Sequence, residues 1–278
     1  MRAVRRIGYD APMATLASAR TKERARRGAV LPKGWPDFLL QLGLFALVDI
    51  VYEVSRTFAK GDLAAAFIHA QDIVSLEKTM GIFTEIDVQR FALDHPWVLD
   101  VANLTYFHAH FAVTTLFLLW LYMRRNHHYY FVRNIVFAAM GIALVGYFFY
   151  PTAPPRMLTN VGFIDTLEKT ANVNFNSGPI AWLSNPFAAV PSVHTCFSLI
   201  IGTSCFFLVK RTALRLTWLL YPCLIVFSIV ATANHFWLDA MLGALLAVVA
   251  AGVAWMIERY HPTLPASARQ RLRLDPAV

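Results

Sequence analysis

The chain has 278 residues, of which 57% are hydrophobic and only 15% are charged. This apolar content is above that of ordinary soluble domains and is concentrated in long runs, which excludes an ordinary soluble protein. The net charge of +8 does not indicate a nucleic-acid-binding protein, because the basic residues cluster in alternate connections between the apolar runs.

Six apolar stretches approach or exceed the roughly 20 residues that a helix needs to cross a bilayer. They lie near residues 37–56, 97–123, 131–150, 194–209, 214–234 and 236–257, and the fourth is the shortest. We therefore predict an all-α polytopic membrane protein with six transmembrane helices in one bundle. A basic tail over 1–36 precedes the membrane domain of 37–257, and a second tail covers 258–278.

The distribution of arginine and lysine predicts the orientation of the chain in the membrane. Both tails are rich in these residues, whereas the connections 57–96 and 151–193 are longer and poorer in them. By the positive-inside rule we expect both termini in the cytoplasm and these two connections on the outer face. The predicted location is the plasma membrane.

The two outer connections differ in character. Apolar residues recur at helical spacing from Ala64 to Met80, which predicts an amphipathic helix lying on the membrane surface or packed over the bundle. Gly81 and Pro96 are the expected breaks. The connection 151–193 is rich in proline and is bounded at both ends by candidate site residues, which favours a functional loop.

His235 and Asp239 lie four residues apart at the start of the sixth apolar stretch. On a helix this spacing brings both side chains to one face, where the carboxylate would orient the imidazole for nucleophilic attack. The alternative is a partly solvated polar pair at a helix start. An ionisable residue inside a membrane span is costly, which favours function.

Pro191-Ser-Val-His194 opens the fourth apolar stretch. Ser192 is a candidate N-cap, and the free N–H groups of a helix N-terminus bind anions. His194 would then stand beside a bound phosphate and protonate a departing oxygen. Capping by Ser192, with His194 as an interfacial polar residue, is the alternative.

Arg156 follows Pro154 and Pro155 in the segment Tyr150-Pro-Thr-Ala-Pro-Pro-Arg156. A guanidinium binds phosphate through two parallel hydrogen bonds, although an interfacial arginine reaching for the membrane surface is the alternative. The charge distribution puts Arg156, His194 and His235 on the same outer face, and this agreement favours one shared site.

Together these blocks resemble the type-2 phosphatidic acid phosphatase superfamily, and within it the inositol phosphorylceramide synthase branch. Pro191-Ser-Val-His194 matches the family's Pro-Ser-x-His block, and His235 with Asp239 matches its His-x3-Asp block. The resemblance implies that His235 is the nucleophile, Asp239 its orienting partner and His194 the general acid. It also implies that Ser192 and Arg156 hold the phosphoryl oxygens, and that neither a metal nor another cofactor is needed.

Two positions depart from the family pattern. Phe149 stands where the wider family has a lysine, and Ile229 stands where it has an arginine. We expect Arg156 to carry more of the phosphate binding, or other outer cations to contribute. The candidates are Lys78, Arg90 and Lys169. The synthase branch departs similarly.

The remaining polar residues carry weaker signals. His108 and His110 lie two apart in the second span, so we expect packing or interhelical hydrogen bonds rather than metal binding. The three cysteines have no metal-site spacing.

The predicted function is that of a membrane phosphoesterase acting on a lipid phosphate or phospholipid through a phosphohistidine. A lipid phosphate phosphatase is the leading prediction. The alternatives are a head-group phosphotransferase of the inositol phosphorylceramide synthase type and, from another class, a membrane transporter. The sequence leaves the acceptor open and carries no signal for an oligomeric state.

Overall fold

The computed structural model describes residues 31–58, 63–166 and 187–260, and these residues form eight α-helices. The helices are α1 (Gly34–Phe58), α2 (Leu63–Met80), α3 (Glu85–Asp94), α4 (Pro96–Arg124), α5 (Asn126–Phe149), α6 (Val193–Leu208), α7 (Thr212–Ala231) and α8 (Trp237–Tyr260). The all-α prediction is thus confirmed for the described residues. The chain divides into two compact units, residues 1–46 and 47–278, and α2 to α8 belong to the second. Most of the predicted tails lies outside the described ranges.

Among the described residues, four helices are long and apolar enough to cross a membrane, namely α4, α5, α7 and α8. Helix α6 is apolar but has only 16 residues, and α1 coincides with the first predicted span without being among the four. The chain is therefore a helical membrane protein, whereas six spans stay a prediction. Helix α5 begins at Asn126, five residues before the expected start at 131. The apolar run predicted only the membrane-spanning part of the helix, and polar and aromatic residues form its first turn.

Helices α5 and α8 pack against each other, and both bury small side chains. The buried residues include Ala139 and Ala143 of α5 and Ala250 and Ala254 of α8. Small residues let helix backbones approach closely, which is a common way for helices to associate in membranes. Large apolar side chains are exposed on the same helices and would contact lipid tails; they include Val145, Phe148, Leu245 and Val248.

Helices α2 and α3 form a helical hairpin over the end of the bundle. We call it the outer hairpin (residues 63–94), after the predicted outer connection in which it lies. Gly81 joins the two helices in a left-handed conformation, with φ of 71°. Pro96 occupies the first turn of α4. The amphipathic helix was predicted either to lie on the membrane surface or to pack over the bundle. The structure shows α2 packed over the bundle.

An apolar cluster joins the outer hairpin to the segments that carry the predicted site residues. Ala66, Ala70 and Ile73 of α2 pack in one buried cluster with Phe236, which follows His235 directly. The same cluster includes Ala153, Leu158, Phe163, Ala189 and Val190. The two proline-rich segments also lie side by side, since the Thr152 N–H donates to the Phe187 carbonyl at 2.9 Å. The outer hairpin is therefore part of the frame that positions the site.

Candidate active site

The segment Pro191–Ser192 lies between α5 and α8, and two glycines allow this close approach. A Cβ atom at Gly146 would lie 2.7 Å from the Pro191 ring, and one at Gly243 would collide with the Ser192 carbonyl oxygen. The Ser192 N–H also donates to the Asp239 carbonyl at 3.1 Å. The loop that begins α6 is thereby attached directly to the first turn of α8.

Ser192 is the N-cap of α6, as predicted. Its hydroxyl accepts a hydrogen bond from the Thr195 N–H at 3.4 Å, and the residue is fully buried. The N-terminal end of α6, with His194 in its first turn, therefore points at the site. The unpaired N–H groups and positive dipole end of such a helix suit a phosphate.

The turn between α7 and α8 is a helix-ending motif with an unusual residue. The Ala233 N–H donates to the Val230 carbonyl at 2.8 Å, and the Asn234 N–H donates to the Ile229 carbonyl at 2.9 Å. This is the Schellman arrangement, whose left-handed position is normally glycine. Here Ala233 occupies it with φ of 52°, which costs about 1 kcal/mol or more. The strained residue stands two positions before His235.

His235 and Asp239 are in contact, although not in the way that helical spacing predicts. Helix α8 begins at Trp237, so His235 lies in the turn before it. Asp239 reaches back from the first turn of the helix, and its Oδ2 accepts from the Phe236 N–H at 2.9 Å and lies 3.2 Å from His235 Nδ1. Asp239 thus caps its own helix and orients His235 at the same time.

Arg156 is fixed to the turn that carries His235. Its backbone N–H donates to the Ala233 carbonyl at 2.8 Å, and its Nη1 donates to the Asn234 side-chain oxygen. Its Nε lies 3.6 Å from an Asp165 carboxylate oxygen. The side chain is mostly buried, with 11% of it exposed. The guanidinium is therefore held beside the candidate nucleophile.

His194 faces His235 on one side and a group of aromatic rings on the other. The ring centroids of His194 and His235 are 5.7 Å apart. Tyr106 stacks on His194 at 4.7 Å, and His110 lies 5.1 Å from it. His110 Nδ1 is also 2.9 Å from the Tyr221 hydroxyl on α7. The interhelical hydrogen bond expected for His110 is thus confirmed.

A π-helical turn over Thr105–Ala109 interrupts α4 beside this group. Such turns are frequent at functional sites because they change which side chains share a face. Tyr106 and His110 both contact His194, whereas His108 is exposed. Tyr106 was not a predicted site residue, and its spacing of four from His110 was the available signal.

Two carboxyls of the outer hairpin also reach the start of α8. Glu85 accepts from the Trp237 N–H at 3.0 Å, and Glu77 accepts from the Leu238 N–H at 2.7 Å. Neither glutamate was predicted as a site residue. No pattern within one segment could reveal them, because the contacts join residues more than 150 positions apart.

The two family cations that this chain lacks are replaced by apolar side chains in different surroundings. Phe149 is exposed at the end of α5, and Ile229 is fully buried in α7. Lys78 lies over the Phe83 ring at 5.1 Å. Arg90 is exposed and lies 3.3 Å from Asp87. Of the alternative cations, Lys169 lies outside the described residues.

The five predicted site residues therefore converge on the junction of α6 and α8. They are Arg156, Ser192, His194, His235 and Asp239. Within the described ranges, no group of three or more histidine, cysteine, aspartate or glutamate side chains is arranged to hold a metal ion. The arrangement combines an oriented imidazole, a second imidazole, a guanidinium and a helix N-terminus.

A protein-family model described as the PAP2 superfamily matches residues 71–253. The matched range includes all five predicted site residues and most of the outer hairpin. Neither the curated proteins nor the solved structures compared with the chain give a match.

Proposed function

This chain belongs to the PAP2 superfamily, and on that premise we propose that it is a membrane lipid phosphoesterase acting through a phosphohistidine at His235. Family membership supports activity of the lipid phosphatase type. The single observation that carries the mechanism is the contact between His235 Nδ1 and Asp239 Oδ2 at 3.2 Å. A carboxylate that accepts the Nδ1 proton leaves the lone pair on Nε2, which is the nucleophile that phosphoryl transfer needs.

In the first step, His235 Nε2 attacks the phosphorus atom and the bond from phosphorus to the lipid oxygen breaks. His194 gives its proton to that oxygen, so the lipid leaves as an alcohol. In the second step, an acceptor hydroxyl attacks the phosphohistidine while His194 takes up its proton. His235 is then regenerated. The ring centroids of His194 and His235 are 5.7 Å apart, so the two imidazoles lie close enough to act on the same phosphoryl group.

Arg156 and the N-terminal end of α6 hold the phosphoryl oxygens in this proposal. The guanidinium is fixed by Asn234 and Asp165, so little rotational freedom is lost when phosphate binds. Stabilising the charge that spreads over these oxygens is the main task of an enzyme that transfers phosphoryl groups.

An apolar cavity beside the site supports a lipid substrate. It has a volume of about 510 Å³ and lies between α2, α5 and α8. Two of its lining residues adjoin the site: Pro191 precedes Ser192, and Leu238 lies in the first turn of α8, next to Asp239. Its other apolar walls include Ile73, Leu76, Ile142, Leu242, Leu246 and Val249. An acyl chain in this cavity would lie next to the phosphate group.

The location of the site residues favours an enzyme over a transporter. Arg156 and His235 lie in connecting segments, Ser192 caps α6, and His194 and Asp239 lie in first helical turns. A transport path would require polar groups through the depth of the bundle. We propose that the site opens to the outer face of the plasma membrane, with both termini in the cytoplasm.

Transfer to a lipid hydroxyl is the second candidate function. The observation that favours it is the replacement of two family cations by Phe149 and Ile229, a departure shared by the synthase branch. Water and a lipid alcohol react with the same phosphohistidine, so the products distinguish the two reactions.

The test is an assay of the purified protein with a panel of lipid phosphates and phospholipids, with and without a lipid alcohol. Released phosphate indicates hydrolysis, and a new phospholipid without free phosphate indicates transfer. We expect His235→Ala and His194→Ala to lose activity. His108→Ala is the matched control, because His108 is an exposed histidine of α4.

Labelling tests the intermediate directly. A substrate with radioactive phosphate should give an acid-labile, alkali-stable label on the wild type and none on His235→Ala. Full activity of His235→Ala would refute the phosphohistidine.

A further inference from the structure

Three carboxyls accept the first three N–H groups that lead into α8. Asp239 accepts from Phe236, Glu85 accepts from Trp237, and Glu77 accepts from Leu238. The two glutamates are fully buried and come from the outer hairpin. The N–H groups of a helix start have no partners within the helix, and negative charge is favourable there. Here distant residues satisfy two of these groups.

This capping acts on the turn that carries the nucleophile. Trp237 and Leu238 are the second and third residues after His235, and they lie between it and Asp239. A displacement of these two peptide groups would therefore change the position of the imidazole relative to its carboxylate. The usual local cap is engaged already, since Asp239 Oδ2 contacts His235 and the Phe236 N–H.

The two glutamates accept from adjacent peptide groups, and within the described residues the second carboxyl oxygen of each, Oε2, is buried without a hydrogen-bond partner. Burial, together with the neighbouring Glu85 side chain, raises the pKa of Glu77 from its ordinary value of 4.5 to about 9. The negative charges of Glu85 and Asp239 act in the same direction, while the bond from the Leu238 N–H opposes it. A carboxyl that is protonated at neutral pH can donate a hydrogen bond to an adjacent carboxyl oxygen.

We propose that Glu77 and Glu85 are positioning residues for His235, and that they hold the start of α8 as a carboxyl–carboxylate pair with one shared proton. This inference rests on the proposed function insofar as it takes His235 to be the nucleophile. The charged groups that act on Glu77 are Glu85 of α3 and Asp239 of α8, and Asp239 in turn contacts His235. A pair with one proton satisfies both helix N–H groups and buries one negative charge instead of two.

The first test compares alanine and glutamine at each position. Glu77→Ala and Glu85→Ala leave a helix N–H without its acceptor, and we expect kcat to fall about 10-fold to 100-fold with KM within about threefold of the wild type. Glu77→Gln and Glu85→Gln keep an oxygen for the helix N–H and a neutral partner for the other carboxylate. We expect them to restore kcat to within about threefold of the wild type.

Asp87→Ala is the matched control for these variants. Asp87 is an exposed carboxylate in the first turn of α3, the helix that carries Glu85. We expect no change in kcat for this variant. Folded alanine variants with wild-type kcat would overturn the positioning role.

The second test uses the shared proton and does not require activity. Because the pKa of Glu77 is higher in the folded state than in the unfolded state, the folded protein binds more protons between pH 4.5 and about 9. The contribution of Glu77 to stability should therefore fall as pH rises through this window. We expect the melting temperature of Glu77→Gln to fall less over the window than that of the wild type. Equal slopes would refute the shared proton.

The two tests separate this inference from the proposed function. If the wild type is inactive on every lipid but the melting slopes differ, the proposed function fails and the shared proton stands. If the wild type is active and the alanine variants match it, the proposed function stands and the positioning role fails. If an alanine variant does not fold, the kcat of the glutamine variants still tests the positioning role, and the melting slopes still test the shared proton.

Discussion

Replacing Asp239 by asparagine isolates the charge of the residue that orients His235. Asparagine has nearly the same shape as aspartate and can still accept the Phe236 N–H through its oxygen. It carries no negative charge, however, and its amide group can present a donor to His235 instead of an acceptor. The variant should therefore fold as the wild type does while its nucleophile is weakened.

The size of the effect follows from burial. Asp239 is fully buried and the His235 side chain is 6% exposed, so water screens this contact very little. A hydrogen bond to a buried charged group contributes up to about 3 kcal/mol. At 1.36 kcal/mol for each factor of ten, this corresponds to a loss of about 100-fold in the rate of phosphohistidine formation. An imidazole held in the wrong tautomer would lose up to about 10⁴-fold.

The assay is single-turnover labelling of the protein with a radioactive phosphate substrate, which measures the formation of the intermediate separately from its breakdown. Asp87→Asn is the control, because it makes the same chemical change at an exposed position. A labelling rate for Asp239→Asn within about threefold of the wild type, with an unchanged melting temperature, would refute the orienting role.

Three further predictions concern residues that surround the proposed phosphate site. Gly243→Ala should lower the free energy of unfolding by about 1–3 kcal/mol, because its Cβ would collide with the Ser192 carbonyl. Gly252→Ala on the same helix has open space, and an equal loss of stability there would contradict this reason. Ser192→Ala should cost about 1 kcal/mol through the lost N-cap, and an unchanged melting temperature would argue against that cap. Arg156→Lys keeps the charge but loses the two-pronged contact, so kcat/KM should fall at least about 10-fold; wild-type kcat/KM would exclude Arg156 as the phosphate clamp.

The apolar runs were enough to predict where the helices lie, because a run of about 20 apolar residues has few alternatives to a helix in a membrane. The Ser192 cap was also predictable, since it depends on neighbours three residues apart. The pairing of His235 with Asp239 was predicted for a reason that is only partly correct. Both residues were assigned to a helix, whereas His235 precedes α8 and Asp239 reaches back to it.

The residues that sequence reasoning missed depend on contacts between distant segments. Glu77 and Glu85 carry no local signal of a role, because their partners on α8 are more than 150 positions away in the sequence. Tyr106 and His110 of α4 both contact His194 of α6; their spacing of four predicts a shared face but does not show which helix that face meets. Local patterns therefore led to the proposed reacting groups, while the groups proposed to position them appear only in the assembled fold.

The long separation of these contacts has a consequence for how the protein is made. Glu85 and Trp237 are 152 positions apart, and Glu77 and Leu238 are 161 positions apart. During synthesis the outer hairpin emerges well before α8, and contacts of such long range form late. The His235 turn can be completed only when α8 has inserted and met the hairpin. A partly inserted chain would thus remain inert toward the lipids around it, and the onset of activity would report the completion of assembly.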